Sequence, residues 1–189
     1  MVKNFVLASG SPQRKILLEQ IGFVPEIICP ADIDETPKKG EKASAYVKRM
    51  AAEKALSVAD KYKGKVVLGS DTIIVCGTKI IQKAKNKQEQ EKVMKMLSGK
   101  AHKVMSAVCV IDVNRKSSLR LSVTKIIMKN LSDKEIKDYV DCEEWVGCAG
   151  YKIEGRLAGY VRKIIGSYSG VVGLPLFETK NLLEGAGIK

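Results

Sequence analysis

Residues 5–22 read FVLASGSPQRKILLEQIG, a stretch that predicts a strand, a short loop and a helix in direct succession. The apolar run at residues 5–8 is typical of a short buried strand. Ser11 and Pro12 then begin a helix, because serine is a favoured N-cap and proline is favoured at the first helical position. Gly22 ends the helix, since glycine commonly follows a helix C-terminus. A strand followed closely by a helix is the repeating unit of α/β proteins.

The loop and the first turn of this helix have the features of an anion-binding site. Gly10 allows the backbone to approach a ligand closely, and the free N–H groups and dipole of a helix start favour negative charge. Ser9 and Ser11 add hydroxyl donors, and Arg14 adds a planar fork for phosphate oxygens. A plain capped helix with a solvated Arg14 would have the same sequence, so the spacing leaves both interpretations open. The chain contains no GxxxxGK[ST] motif, which excludes a P-loop.

Strands and helices are predicted to alternate along the rest of the chain. Helices are predicted at residues 41–60, 86–97, 132–140 and 175–185, and strands at residues 66–75, 79–82, 103–113 and 119–128. A polar turn joins the last two strands, which predicts an antiparallel pair. The fold class is therefore predicted to be α/β, or α+β, with a mixed sheet. Residues 1–189 have no repeat, low-complexity segment or long linker, which favours a single domain.

The composition is that of an ordinary globular protein, with 45% hydrophobic and 29% charged residues. No apolar run approaches the roughly 20 residues that cross a bilayer, and the first apolar stretch is too short for a signal peptide. The five cysteines include no CxxC pair, which argues against disulfides and a cysteine-rich zinc site. We therefore expect a cytoplasmic protein that does not associate with membranes. His102 is the only histidine, so a divalent cation would have to be a hard ion held by carboxylates.

The formal net charge of +12 is compatible with two kinds of anionic partner. A basic chain can neutralise nucleic-acid phosphates, or it can steer a small polyanion toward a cleft. The lysines are spread along the chain, and aromatic residues make up only 5%, which leaves few platforms for base stacking. We therefore expect no dedicated nucleic-acid binding, with a nucleic-acid-binding domain kept as an alternative.

Asp71 interrupts the apolar strand predicted at residues 66–75. An ionised carboxylate in such a run is costly unless it is paired or metal-bound, so a functional site or a buried hydrogen-bond network is expected there. Asp32, Asp34 and Glu35 form an acidic cluster that could share Mg²⁺ with Asp71, or could be a solvated loop.

Two lysines are candidate phosphate ligands. Lys54 lies close to the apolar stripe of its predicted helix, and Lys83 directly follows a predicted strand. Either side chain could reach into a cleft, but each taken alone is also consistent with an ordinary surface lysine.

Taken together, these segments resemble the Maf family of nucleoside triphosphate pyrophosphatases over nearly the whole chain. The segments that carry the resemblance are LASGSPQRKILLEQIG at 7–22, DIDE at 32–35, AEKA at 52–55, GSDT at 69–72, QKA at 82–84, LSGKAHKV at 97–104, EWVGCAGYKIEG at 144–155 and GSYSGVVGLPL at 166–176.

The resemblance implies an inosine-triphosphatase-like fold with two lobes around a central cleft. It implies a housecleaning hydrolase that converts a nucleoside triphosphate to the monophosphate and pyrophosphate, and a homodimer. The loop with Ser9, Gly10, Ser11 and Arg14 would bind the triphosphate. Lys54 would neutralise charge that develops on it, as would Lys83.

The resemblance also implies roles for four further residues. Glu35 and Asp71 would hold or activate a divalent cation, Mg²⁺ or Mn²⁺, together with the attacking water, and Asp71 would accept the proton. Thr72 and Glu154 would lie near the base or the ribose.

Two positions depart from the family pattern. The loop usually carries two arginines after the proline, whereas this chain has Gln13 before Arg14. Glu154 resembles the branch acting on 7-methyl-GTP, because a carboxylate suits a cationic methylated guanine. The segment at 166–175 instead resembles the branch acting on dTTP and UTP, which is the expectation adopted. The alternatives are 7-methyl-GTP hydrolysis and a non-catalytic nucleotide-binding regulator of cell division.

Overall fold

The computed structural model describes residues 4–189, and within them seven strands form one mixed sheet. The strands are β1 (Phe5–Leu7), β2 (Ile27–Ile28), β3 (Val66–Cys76), β4 (Lys79–Ile81), β5 (Ala101–Ile111), β6 (Ser117–Met128) and β7 (Val161–Ile165). The helices are α1 (Pro12–Gln20), α2 (Ala43–Lys61), α3 (Lys87–Leu97), α4 (Asp133–Asp141), α5 (Tyr168–Val172) and α6 (Leu176–Gly185), with a 3₁₀ helix at Arg156–Tyr160. The predicted domain starts at residue 1, and its residues 1–3 lie outside the described part.

The sheet has the strand order β2-β1-β3-β5-β6-β7, and β4 pairs with the far end of β3. β1 runs parallel to β2 and β3, while the remaining pairs are antiparallel. This mixed sheet with helices on both faces confirms the predicted fold class.

Three apolar clusters hold the helices on the sheet. Helix α2 packs on one face, where Val47 and Met50 belong to the same buried cluster as Val67 and Ala107 of the sheet. The opposite face is covered at one end by α1 and α6 and at the other end by α3 and α4. The cleft lies between two lobes, as predicted. One lobe presents residues 9–14 with Glu35, Tyr46 and Lys54, and the other presents residues from the segments 80–85 and 144–154.

The ladder of β3 explains where the cleft opens. β1 ends at Leu7, which lies opposite Leu68, and β4 first pairs with β3 at Ile74. Residues 69–73 of β3 therefore have β5 on one side and no described strand on the other. Asp71 lies at the middle of this open edge.

Most predicted elements are confirmed, with ends shifted by one or two residues. Helix α4 begins with a capping box, in which the Ser132 hydroxyl accepts from the Glu135 N–H and the Glu135 carboxylate accepts from the Ser132 N–H. At the start of α3 only half of such a box forms: Asn86 Oδ1 accepts from the Glu89 N–H, but the Glu89 carboxylate accepts from the Lys85 N–H. The sequence did not predict β2, β7, α5 or the 3₁₀ helix. Among residues 4–189, no helix combines the length and the apolar character that crossing a membrane requires.

Gly69 fixes the approach of α2 to β3, and we expect Gly69→Ala to destabilise the protein. An added Cβ would lie 2.6 Å from the Ala51 carbonyl oxygen and 2.6 Å from the Ala55 nitrogen, both of which are backbone atoms. Because backbone cannot yield locally, the cost in unfolding free energy is expected to be roughly 1–3 kcal/mol. Urea unfolding measures it, with Gly159→Ala as the control because an added Cβ there meets no atom within 4 Å. Equal stability of both variants would contradict this account.

Candidate active site

The cleft has a volume of about 980 Å³. Its lining comes from the loop before α1, from α2 and β3, and from the segment at residues 144–154. The ten residues to which the family resemblance assigns roles all contribute to its wall: Ser9, Gly10, Ser11, Arg14, Glu35, Lys54, Asp71, Thr72, Lys83 and Glu154. The structure therefore brings together residues that lie up to 145 positions apart in the sequence, from Ser9 to Glu154.

The centre of the cleft is a three-residue charge cluster. The Lys54 Nζ lies 2.8 Å from Asp71 Oδ1 and 3.0 Å from Glu35 Oε1. The side chains of Lys54 and Asp71 are 11% and 9% exposed, whereas that of Glu35 is 52% exposed. The close packing of α2 at Gly69 sets Lys54 beside the open edge of β3. The buried carboxylate of Asp71 is thus compensated by one ammonium group, as its position in an apolar strand requires.

Arg14 forms the second charged group of the cleft. Its Nε donates to the Gly173 carbonyl at 2.9 Å, and its Nη1 donates to Ser9 Oγ at 2.8 Å. Among residues 4–189, no carboxylate lies within ion-pair distance of this guanidinium. Desolvation by burial lowers the Arg14 pKa, with Asp71 and Glu35 partly offsetting this by attraction. A desolvated cation without an anionic contact is suited to bind an anionic ligand.

The loop before α1 has the predicted shape but a different use for Ser11. Ser11 occupies the N-cap position with an extended backbone, yet its side chain makes no capping hydrogen bond. Its N–H instead donates to Ser9 Oγ at 3.3 Å. Gly10 packs beside Pro30, where an added Cβ would lie 3.2 Å from Cγ. The prediction that Ser11 is the N-cap of α1 is confirmed by position, although its side chain leaves the helix N–H groups uncapped.

Gly173 was not nominated from the sequence, although it orients several cleft residues. Its carbonyl accepts from Arg14 Nε, and the hydroxyls of Ser70 and Thr72 lie 3.4 Å and 3.3 Å from it. It has a φ of 140°, a conformation that favours glycine. In the sequence, Gly173 is visible only as the last glycine of the SYSGVVG segment. Spacing along the chain does not show that it contacts Arg14 and the residues near Thr72.

Thr72 belongs to a polar row behind the end of the cleft that Arg14 lines. Its hydroxyl lies 2.9 Å from Ser106 Oγ, and Ser106 in turn donates to the Gly170 carbonyl. These bonds attach α5 and the residues after it to β3 and β5. The Thr72 hydroxyl is therefore already hydrogen-bonded within the protein, although the side chain also lines the cleft.

Lys83 and Glu154 lie on the opposite wall. Lys83 is exposed and forms an isolated antiparallel bridge with Ala149. Glu154 is also exposed, and its charge contributes to raising the pKa of the Cys148 thiol, which burial raises most. This wall is thus polar and charged at its rim.

The acidic cluster separates into two parts. Glu35 reaches the cleft, whereas Asp32 and Asp34 are not among its lining residues. Asp34 Oδ1 accepts from the Thr36 N–H at 2.9 Å, and the hydrogen bonds from Thr36 lower the pKa of this exposed carboxyl.

The carboxylates of Asp71 and Glu35 can hold a metal ion only together with ligands from outside the protein. Within residues 4–189, no group of three or more His, Cys, Asp or Glu side chains could hold a metal. The Lys54 ammonium occupies the position between Asp71 and Glu35 that a shared cation would take. Mg²⁺ commonly uses one or two carboxylates together with substrate phosphates and water. The two carboxylates therefore fit a cation that arrives with a phosphorylated ligand, rather than a site built from protein ligands alone.

A buried network supports the wall that carries Glu154. His102 Nε2 lies 2.7 Å from the Tyr151 hydroxyl, and Gln90 Nε2 donates to the Gly150 carbonyl at 2.6 Å. Burial lowers the pKa of His102 to about 4. The imidazole is therefore neutral in the folded protein at neutral pH.

We expect this histidine to make the protein less stable in mild acid. Its pKa is about 4 when folded and about 6.5 when unfolded, so below pH 6.5 the unfolded chain binds a proton that the folded chain does not. Stability is therefore lost as the pH falls from 6.5 toward 4, by about 3 kcal/mol in total. Urea unfolding of the native chain and of His102→Gln between pH 7.5 and 4.5 measures the difference. Parallel pH curves for the two proteins would show that His102 has no such role.

These features define an α/β protein whose cleft presents a helix start, a desolvated arginine and a carboxylate–lysine pair to a phosphorylated ligand. The chain belongs to the Maf family, since the family model described as "Maf-like protein" matches residues 4–186.

Several relatives share more than two fifths of the sequence. A dTTP/UTP pyrophosphatase of Zymomonas mobilis is 44% identical over 99% of this chain and 93% of its own length. Those of Rhodospirillum rubrum and Caulobacter vibrioides are 45% and 43% identical, each over 97% of this chain and over 88% and 96% of their own lengths.

Solved structures match more loosely. A nucleoside-triphosphatase, or dITP/XTP pyrophosphatase, of Mycobacterium abscessus is 13% identical with a TM-score of 0.44, over 66% of this chain and 74% of its own. The Ham1 protein of Staphylococcus aureus is also 13% identical, with a TM-score of 0.45 over 67% and 72% of the two chains.

Proposed function

We propose that the protein hydrolyses dTTP and UTP to the nucleoside monophosphate and pyrophosphate. The observation that carries the proposal is the buried Lys54–Asp71 pair, which faces the same cleft as the desolvated guanidinium of Arg14. Relatives 42–45% identical over nearly the whole chain are named dTTP/UTP pyrophosphatases, which supports this choice of base.

In this proposal the triphosphate binds at the start of α1. The backbone N–H groups of the first turn and the Arg14 fork bind phosphate oxygens, and the loop from Ser9 to Ser11 encloses them. Asp71 orients the attacking water and accepts its proton as the water attacks the α-phosphorus. Lys54 and Lys83 offset the charge that builds up as pyrophosphate leaves. A bound divalent cation, Mg²⁺ or Mn²⁺, would neutralise phosphate charge, with Glu35 and Asp71 as its protein ligands.

Glu154 supports a second candidate substrate. Its carboxylate is exposed on the wall opposite the phosphate-binding loop, with Thr72 also in the lining. A carboxylate there would suit the positive charge of a 7-methylguanine, so 7-methyl-GTP is the alternative substrate.

A panel of nucleotides separates these substrates. Purified protein with Mg²⁺ or Mn²⁺ is expected to release pyrophosphate from dTTP and UTP with a higher kcat/KM than from 7-methyl-GTP. Preference for 7-methyl-GTP, together with its loss in Glu154→Gln, would establish the alternative. Tight nucleotide binding without turnover would instead favour a regulator, and salt-dependent duplex binding that Arg14→Ala leaves unchanged would favour a nucleic-acid-binding domain.

The proposal extends to the state of the protein in the cell. We expect a cytoplasmic homodimer without dedicated nucleic-acid binding, as the family resemblance implies. Light scattering on the purified protein tests the dimer, and a mass of one chain would exclude it.

A further inference from the structure

Glu35 is the exposed member of the charge cluster, and the chain around it has no regular structure. Residues 29–42, between β2 and α2, form neither helix nor strand. The Glu35 carboxylate nevertheless lies 3.0 Å from Lys54 Nζ. A loop of this length needs further contacts to hold one side chain at that position.

Arg49 of α2 supplies such contacts. Its Nε and Nη2 donate to the two carboxylate oxygens of Glu41, each at 2.7 Å, and Nη2 also donates to the Thr36 carbonyl at 3.2 Å. The Glu41 carboxylate in turn accepts from the Lys38 N–H at 3.0 Å. One guanidinium on a rigid helix thus holds the loop at two points that follow Glu35.

Tyr46 holds the loop at Glu35 itself. Its hydroxyl donates to the Glu35 carbonyl at 2.8 Å, and its ring lies below the Arg49 guanidinium at 5.5 Å. The side chain is buried and lines the cleft. Burial first, and then the charges of Asp71 and Glu35, raise the Tyr46 pKa to about 12, so the hydroxyl keeps its proton and remains a donor.

We infer that Tyr46, Arg49 and Glu41 form a clamp that positions the Glu35 carboxylate at Lys54 for the reaction. The inference rests on the proposed function, because it assigns these residues a task in the same site. Tyr46, Arg49 and Glu41 are positioning residues, and they act on the reaction through Glu35.

The burial of the Arg49–Glu41 pair distinguishes it from an ordinary surface ion pair. The two side chains are 16% and 10% exposed, and the contact is bidentate. The hydrogen bonds from Arg49 hold the Glu41 pKa at about 2, so the carboxylate is ionised throughout the pH range of an enzyme assay. Arg49 also contacts Glu53 one turn along α2, at 3.2 Å, but that carboxylate is 41% exposed and does not belong to the loop.

A double-mutant cycle tests the inference with dTTP as substrate. In the native background Arg49→Met is expected to lower kcat about tenfold or more, because a small displacement of a reacting group costs that much. In a Glu35→Gln background the same change is expected to alter kcat less than about twofold, since its effect passes through Glu35. Glu53→Gln is the matched control, because it removes the other partner of the same arginine, and it is expected to leave kcat unchanged.

Two outcomes would overturn the inference. One is an equal loss of kcat in both backgrounds, which indicates a general structural effect, and the other is native kcat in Arg49→Met. If thermal unfolding shows that Arg49→Met does not fold, Glu41→Gln takes its place in the cycle with the same expectations. A native chain that does not hydrolyse any nucleotide would refute the proposed function and this inference together, whereas an active native chain with an additive cycle refutes the inference alone.

Discussion

Asp71→Asn is expected to lower kcat for dTTP hydrolysis by about 10²–10³-fold, the largest effect of any single change considered. Asparagine has nearly the same shape, so Thr72 and the β3–β5 ladder keep their positions. The amide cannot accept the proton of the attacking water. It also weakens the contact to Lys54, whose Nζ lies 2.8 Å from Asp71 Oδ1 in the native protein. A steady-state assay of pyrophosphate release measures the loss.

The control for this prediction is Asp60→Asn. Asp60 is near the end of α2, where it forms an exposed pair with Arg115 and does not line the cleft. We expect native kcat in this variant. An Asp71→Asn enzyme with native kcat would remove Asp71 from the mechanism.

The second large effect is expected for Arg14→Met, which should lower kcat/KM by about 10²-fold or more through loss of phosphate binding. The same change is expected to leave the free energy of unfolding unchanged or to raise it. The guanidinium is desolvated without a contacting carboxylate, and the hydroxyls of Ser70 and Thr72, which lie 3.4 Å and 3.3 Å from the Gly173 carbonyl, can rotate to donate to it when Arg14 is removed. We therefore expect kcat/KM to fall in Arg14→Met without a fall in the free energy of unfolding.

Lys15→Met is the matched control for Arg14. Lys15 is the next residue on α1, it is half exposed, and it pairs with Glu19. Removing its charge is expected to change neither kcat/KM nor the urea midpoint. If Arg14→Met lowers the free energy of unfolding by as much as it raises the activation free energy of the reaction, Arg14 is a structural residue.

The sequence predicted the fold class and singled out Asp71, which the structure places in the cleft, because both depend on local signals. Asp71 is recognisable as a polar residue inside an apolar strand, and Ser11-Pro12 as a helix start. Helix α2 is recognisable by its periodicity, which also set Lys54 near the buried stripe. The segments not predicted, β7 and α5, are short, and they depend on contacts with β6 and β5 rather than on their own pattern.

The supporting contacts of the site could not be predicted, since they join residues far apart in the chain. The Gly173 carbonyl orients Arg14 across 159 positions, and no spacing rule connects the two. Arg49 and Tyr46 looked like ordinary residues of an amphipathic helix. Ser9, and not Ser11, makes the hydrogen bonds at the start of α1, because the tertiary contact with Arg14 fixes its hydroxyl.

The most direct test of the central claim is to hydrolyse dTTP in ¹⁸O-labelled water and to identify the products by mass spectrometry. Attack on the α-phosphorus next to Asp71 predicts dTMP and pyrophosphate in equal amounts, with one ¹⁸O atom in dTMP and none in pyrophosphate. Release of dTDP and inorganic phosphate, or label in the pyrophosphate, would contradict it.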